Sequence, residues 1–209
     1  MTNEISFIDT NILLYATAYH KEDILAWING VYHNIYIHID VLNEVINLAA
    51  QDQISRCIND YHWMIFNPGE LTKDDYELYL FLRNQVAEDM QQLALRRRRL
   101  GMPIKHTANV GEISILAACR LINGTIICSN DSDVRDVIDQ EQYQIIDIST
   151  QQEVLIKQED IADFCVRVNT NKIATRKAVR KFYGVIIGEQ KNRDALLRTL
   201  DLRMASVSE

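Results

Sequence analysis

Two segments decide the fold: Ile5-Ser-Phe-Ile-Asp-Thr-Asn11 and Thr125-Ile-Ile-Cys-Ser-Asn-Asp-Ser-Asp133. Each is a short apolar run that ends in acids and small polar residues, with an amphipathic helical pattern next. In an open parallel sheet, the exits of strands are where ligands bind. Two such exits in one chain therefore predict a shared mouth lined by Asp9 and Asp131.

The pattern between and beyond them alternates. Ile5–Ile8 reads as a strand, and Thr10 or Asn11 as the cap of a helix over Ile12 to His20. A second helix is expected from Glu22 to Tyr32, and isoleucines at every second position mark Asn34–Asp40 as a strand. Asp40 opens a helix carrying Val41, Leu42, Val45, Ile46 and Leu48, with Glu44 one turn in. Tyr61–Phe66 is a third strand, closed by Asn67-Pro-Gly69. Thr72 and Asp75 resemble a capping box for a long helix reaching Leu100. Its acids gather at the start and Arg96, Arg97, Arg98 and Arg99 at the end, matching the helix dipole, before Gly101 and Pro103 stop it. A helix over Val110–Ile122, a strand over Thr125–Ser129, a helix over Asp131–Ile138 and a last strand over Tyr143–Ile148 follow. Thr150-Gln-Gln-Glu153 has the form of a capping box for another helix, and beyond Ile161 the pattern is helical only.

This order predicts an α/β fold, a doubly wound parallel sheet with helices on both faces, over residues 1–157. A helical extension occupies residues 158–209. The chain of 209 residues is long enough for one sizeable core. No apolar run approaches membrane-span length, and the start Met1-Thr-Asn-Glu-Ile-Ser lacks a signal peptide's basic, apolar pattern, so the sequence reads as cytoplasmic. Cys57, Cys119, Cys128 and Cys165 are scattered without a C-x-x-C pair, which favours free thiols over disulfides or zinc. No glycine-rich phosphate loop is present.

Glu44 and Glu112 add two carboxylates on predicted helices, and Asp133 a third beside Asp131. Carboxylates converging on one mouth repel unless a cation sits among them. Taken singly, Asp9, Asp131 and Asp133 also read as turn formers or caps, and Glu112 as a complement to a helix dipole. The five histidines have no evident place in such a site. His38 reads as a core or flank residue, and His106 as a loop residue within reach of substrate.

The order strand–Asp-Thr-Asn, helix–Glu, Gly-Glu–helix, strand–Ser-Asn-Asp-Ser-Asp resembles the PIN-domain family of metal-dependent ribonucleases over roughly residues 3–157. The segments that carry it are Phe7-Ile-Asp-Thr-Asn-Ile-Leu-Leu-Tyr-Ala16, Val41-Leu-Asn-Glu-Val45, Gly111-Glu-Ile-Ser-Ile-Leu-Ala-Ala118 and Ile127-Cys-Ser-Asn-Asp-Ser-Asp133. The resemblance implies that Asp9, Glu44, Glu112 and Asp131 hold Mg2+ or Mn2+, with Asp133 assisting and Asn11 and Ser129 as hydrogen-bonding supports. It implies endonucleolytic hydrolysis of RNA, as the toxin of a toxin–antitoxin pair or in RNA processing or defence. An antitoxin, another protein or a second copy of the chain are the partners it suggests. Glu112 stands where many relatives have Asp, and the 72–100 helix is longer than in compact members. A haloacid-dehalogenase-type phosphatase would need an acid where this chain has Asn11. The rival readings are a DNA nuclease and a catalytically inactive scaffold that binds RNA or protein.

Net charge is −7, but it is unevenly spread, roughly −10 over residues 1–157 and +3 over 158–209. A polyanionic substrate needs basic neighbours for an acidic site. The candidates are Arg96–Arg99 and Lys105, then Lys172, Arg176, Lys177, Arg180 and Lys181 at helical spacing, with Ile173, Val179, Phe182 and Val185 toward the body.

Overall fold

The computed structural model describes residues 4–103, 109–148 and 150–206. Lys105 and His106 lie outside the described residues. Five strands form a parallel sheet: β1 (Ser6–Ile8), β2 (Ile35–His38), β3 (Met64–Phe66), β4 (Ile126–Cys128) and, after a separate two-stranded ribbon of β5 (Gln144–Asp147) and β6 (Gln152–Leu155), β7 (Lys157–Glu159). Their order across the sheet is β3-β2-β1-β4-β7, and all four pairings are parallel. The chain winds outward from β1 to β3, then returns to β4 and continues to β7. The winding reverses between β1 and β4, which leaves a crevice at their C-terminal ends.

Parallel neighbours need crossovers, and helices supply them. α1 (Thr10–Ala18) and α2 (Ile24–Val31) join β1 to β2; α3 (Ile39–Glu44) and α4 (Leu48–Asp60) join β2 to β3. α5 (Lys73–Arg99) and α6 (Val110–Leu121) lead back to β4, and α7 (Ser132–Glu141) leads to the ribbon. α1 packs on α2 and α4, while α5 packs on α6 and α7. Phe7, Ile8, Ile37, Ile127 and Cys128 are fully enclosed between these layers.

The structure corrects the sequence reading in four places. The helix expected from Asp40 past Leu48 breaks at Val45, whose side chain is buried, and restarts where the Asn47 side chain accepts the Ala50 N–H at 3.1 Å. α4, with Ala50, Ile54 and Cys57 buried along one face, was not anticipated as a separate helix. The cap of α1 is Asp9 itself, not Thr10 or Asn11. The capping-box pattern at Thr150–Glu153 does not start a helix: Ile145 pairs with Val154 in the antiparallel ribbon, and β5 takes no part in the main sheet. That segment is short and runs into Val154-Leu-Ile156, so cross-strand pairing wins over a local cap signal.

β7 runs across the 157/158 point at which the sequence reading begins its extension, so the sheet draws its fifth strand from both sides of that point. α8 (Ile161–Thr170), α9 (Arg176–Ile186) and α10 (Arg193–Ser206) follow, and α8 packs against β7 and α2. Phe182 of α9 meets Tyr19, Trp27 and Phe164 edge-on, at centroid distances of 5.2, 6.0 and 6.3 Å. A buried ionic knot adds a second tie. Glu159 accepts the Tyr32 hydroxyl at 2.8 Å and Arg167 at 3.0 Å, and Arg167 also reaches Glu4. The four cysteines are free and buried. No helix among the described residues is long and apolar enough to cross a membrane.

Phe182 is fully buried against Tyr19, which caps the end of α1, and Trp27 of α2. Phe182→Ala is therefore expected to cost about 3–5 kcal/mol in urea unfolding, within one cooperative transition for the whole chain. A separate low-stability transition for residues 161–206 would contradict a common core.

Candidate functional site: a carboxylate cluster at the β1/β4 crevice

The register of β1 on β4 aligns Phe7 with Ile127 and Ile8 with Cys128. One residue further on, Asp9 and Ser129 leave the two strands side by side. The Ser129 hydroxyl donates to Asp9 Oδ2 at 2.7 Å, and the Asp9 N–H donates to the Cys128 carbonyl at 3.0 Å. Asp9 Oδ1 accepts the Thr10 N–H at 2.7 Å, capping α1, and Oδ2 also accepts the Asn11 amide at 2.6 Å. Asn11 in turn accepts the Asn130 N–H at 3.1 Å. The Asp-Thr-Asn tripeptide thus orients its own acid and fastens β1 to the loop after β4.

That loop is held from beneath. The Asp131 N–H donates to Ser129 Oγ at 3.1 Å, and Asp131 Oδ1 caps α7 by accepting the Asp133 N–H at 2.8 Å. The Gln158 amide on β7 donates to the carbonyls of Ser129 and Asp131 at 2.6 and 2.8 Å. Sequence reasoning missed Gln158, because nothing local marks a glutamine that acts through a neighbouring strand.

Glu44 ends α3 at the mouth, and the Thr10 hydroxyl donates to its Oε2 at 2.5 Å. It lies against Gly111 at the start of α6, where an added Cβ would stand 2.9 Å from Glu44 Oε1. The Gly-Glu pair thereby has a steric reason. Glu112, half-buried in the first turn of α6, hydrogen-bonds Asp131. Asp9, Glu44, Glu112 and Asp131 are thus brought together from four elements.

Electrostatics record the crowding. Burial pushes the Asp9 carboxyl up; hydrogen bonds from Ser129 and Thr10 pull it back, and the charges of Glu44 and Asp131 raise it. Glu112 is pushed up to about 8, by burial first, then by its hydrogen bond with Asp131 and the charges of Asp9 and Asp131, against a backbone hydrogen bond that lowers it. Two carboxyls in a hydrogen bond share a proton. Among the described residues, no group of three or more His, Cys, Asp or Glu side chains stands at metal-holding geometry. The donor set is nonetheless all carboxylate oxygen, the chemistry that hard divalent cations prefer.

Asp133 is placed differently. It is buried, and its carboxylate accepts Arg97, which also pairs with Asp136. Arg97 therefore anchors α5 to α7. Arg96 pairs with Glu141 at 3.0 Å, while Arg98 and Arg99 are exposed. Arg176 and Arg180 converge on Asp201 of α10 at 3.1 and 3.0 Å, and Lys172 sits exposed past the end of α8. Arg96, Arg97, Arg176 and Arg180 thus hold helices together before they meet any ligand.

No protein-family model, curated protein or solved structure matches the chain.

Asp40 is a further strand-exit acid. It accepts the Ser114 hydroxyl at 2.6 Å, linking α3 to α6 behind Glu44. The same rule that singled out Asp9 applies to it. His38 before it is a core residue, stacked on Phe66 and Tyr79. Its Nδ1 accepts the Asp40 N–H at 3.0 Å, so the proton sits on Nε2, facing the Tyr79 hydroxyl at 3.0 Å. Burial lowers its pKa to about 4, with Asp40 opposing and Arg83 assisting. The unfolded chain, near 6.5, binds the proton first. Neutral His38 therefore contributes stability above pH 6.5 that is lost as pH falls toward 4. Across that window the wild type should lose on the order of 3 kcal/mol more than His38→Gln, by urea unfolding at each pH. Parallel pH profiles would refute a neutral, buried imidazole.

Proposed function

We propose that the protein is a Mg2+- or Mn2+-dependent endoribonuclease of PIN-domain type. The observation that carries the proposal is the convergence of Asp9, Glu44, Glu112 and Asp131 on the crevice between β1 and β4. Burial and neighbouring charge at Asp9 and Glu112 oppose their ionised forms in the unliganded fold, and such cost is characteristic of functional sites. The all-oxygen donor set fits Mg2+ or Mn2+, with Asp9, Glu44, Glu112 and Asp131 as the residues to hold it. When bound, such an ion supplies an activated water and relief of phosphate charge.

The chain's own groups set the geometry. Asp9 is locked by three donors, so its carboxylate cannot turn away from the crevice. Thr10 aims Glu44. Glu112 and Asp131, joined by a hydrogen bond in the unliganded fold, would both hold a bound cation, which would favour their ionised forms. Asp133, neutralised by Arg97, is a support more than a ligand. Exposed Arg98 and Arg99 supply positive charge for a polyanion.

Asp131→Asn is expected to lower cleavage of structured RNA in Mg2+ by roughly 10²–10⁴-fold. Its metal-free melting temperature should hold or rise, because charge crowding falls. Asp9→Asn should lose activity equally but gain less stability, since an amide nitrogen would face the Asn11 and Ser129 donors. Full activity in both variants would end the assignment. Gly111→Ala, displacing only the Glu44 carboxylate, should cost ~10–100-fold in rate with melting unchanged. Labelled RNA and DNA of one sequence separate the two nuclease readings. Calorimetry without Mn2+ binding would leave an inactive scaffold.

A further inference from the structure

A second site lies at the opposite end of α1. Asp9 caps the start of that helix and Tyr19 its end, about 15 Å along the axis. Beside Tyr19 a cleft of about 430 Å3 opens between α1, α9 and α10. Buried Tyr19, Gly184 and Leu197 form its floor, with exposed Val185 at the side. Its rim carries Lys21, Lys177, Arg180, Lys181 and Arg193, and among the described residues no acidic one lines it. Arg180 is partly neutralised by Asp201, and Arg193 donates to the Gly184 carbonyl at 3.4 Å. Among the described residues, Lys21, Lys177 and Lys181 have no carboxylate within ion-pair distance. A Cβ on Gly184 would approach Arg193 Nη2 at 3.2 Å, so the glycine lets the guanidinium lie over the floor.

Concentrating cations on one small mouth is unfavourable in a chain of net charge −7 that has acids to spare. The volume falls in the range of about 300–1,000 Å3 typical of small-molecule sites. An apolar floor under a cationic rim matches a ligand with a flat apolar part and a phosphate. An acidic peptide would satisfy the rim but leave the floor unfilled. We propose that the cleft formed by Tyr19, Lys21, Lys177, Lys181, Gly184, Arg193 and Leu197 binds a nucleoside phosphate. The phosphate meets the lysines and Arg193, and the base covers the apolar floor.

The nucleotide can be free or part of a strand. If it belongs to RNA, the proposal deepens the nuclease reading: the cleft holds the strand about four stacked nucleotides, at ~3.4 Å each, from the carboxylates. Only this RNA source rests on that reading.

The test is equilibrium binding to the full chain in EDTA, so that divalent cations play no part. The probes are AMP, by calorimetry, and a fluorescein-labelled ten-nucleotide single-stranded RNA, by anisotropy. Wild type should bind at least one of them. Lys177→Ala/Lys181→Ala should bind at least ~10-fold more weakly, as loss of two charge-assisted bonds requires, with melting unchanged because both side chains are exposed. Lys177→Arg/Lys181→Arg should retain binding, and Asp9→Asn should bind AMP, which does not reach the carboxylates, as wild type does. AMP that binds and displaces the RNA assigns the cleft to a single nucleotide; RNA binding that AMP does not displace assigns it to a strand. Equal affinity of wild type and the double alanine variant for both probes overturns the proposal. So does displacement of RNA by a poly-glutamate peptide as readily as by unlabelled RNA, which would indicate an acidic protein partner. Because cleavage is not read, a failed cleft leaves the nuclease proposal standing, and an inactive carboxylate cluster leaves the cleft standing.

Discussion

The side-by-side exit of β1 and β4 is the constraint on which the rest of the molecule depends. Their parallel register sets Asp9 next to Ser129, and a single hydroxyl–carboxylate bond of 2.7 Å joins the two loops. Asn11 repeats the join from the other side through Asn130. A slip of one residue would turn every side chain to the other face of the sheet and dissolve both links. The reversal of strand order at this pair is what leaves the crevice open, because the crossovers to either side depart in opposite directions.

Crowding carboxylates there opposes folding, and the structure offsets that opposition with fixed donors. Asp9 has three, and the loop bearing Asp131 is braced by Gln158 from β7. β7 is therefore part of the site's scaffold, though it comes after α7 and a detached ribbon. The helices that follow are secured by a buried Glu159–Tyr32–Arg167 knot and by Phe182 among Tyr19, Trp27 and Phe164. A buried ion pair adds little net stability, but breaking one half of it is costly, so this knot specifies where α8 lies. The same docking brings α9 and α10 beside the end of α1 and creates the cationic cleft.

Much of the architecture was legible because the relevant signals are local. Alternating isoleucines marked β2, a cap at Thr72 with acids first and arginines last marked α5, and polar clusters after apolar runs marked the exits of β1 and β4. The misreadings share one cause. Thr150–Glu153 carries a sound cap pattern, yet Val154 finds Ile145 as a cross-strand partner, and a partner is invisible from one segment. The break at Val45 depends on that side chain being drawn into the core. The Arg96–Arg99 run and the basic residues after Lys172 looked available to a ligand until Glu141, Asp133 and Asp201 arrived from other helices to pair with some of them.

Local pattern alone was enough for the alternation of strands and helices as far as α7, the positions of the acids at strand exits, and the preference for free thiols at the cysteines. Those follow from periodicity, capping and spacing, which act over a few residues. The strand order, the place of β7 in the sheet, the meeting of Glu112 with Asp131 and the pairing of Arg97, Arg176 and Arg180 came only with the closed chain. Each of these depends on contacts between groups tens of residues apart, whose energies exist only once the chain has closed on itself.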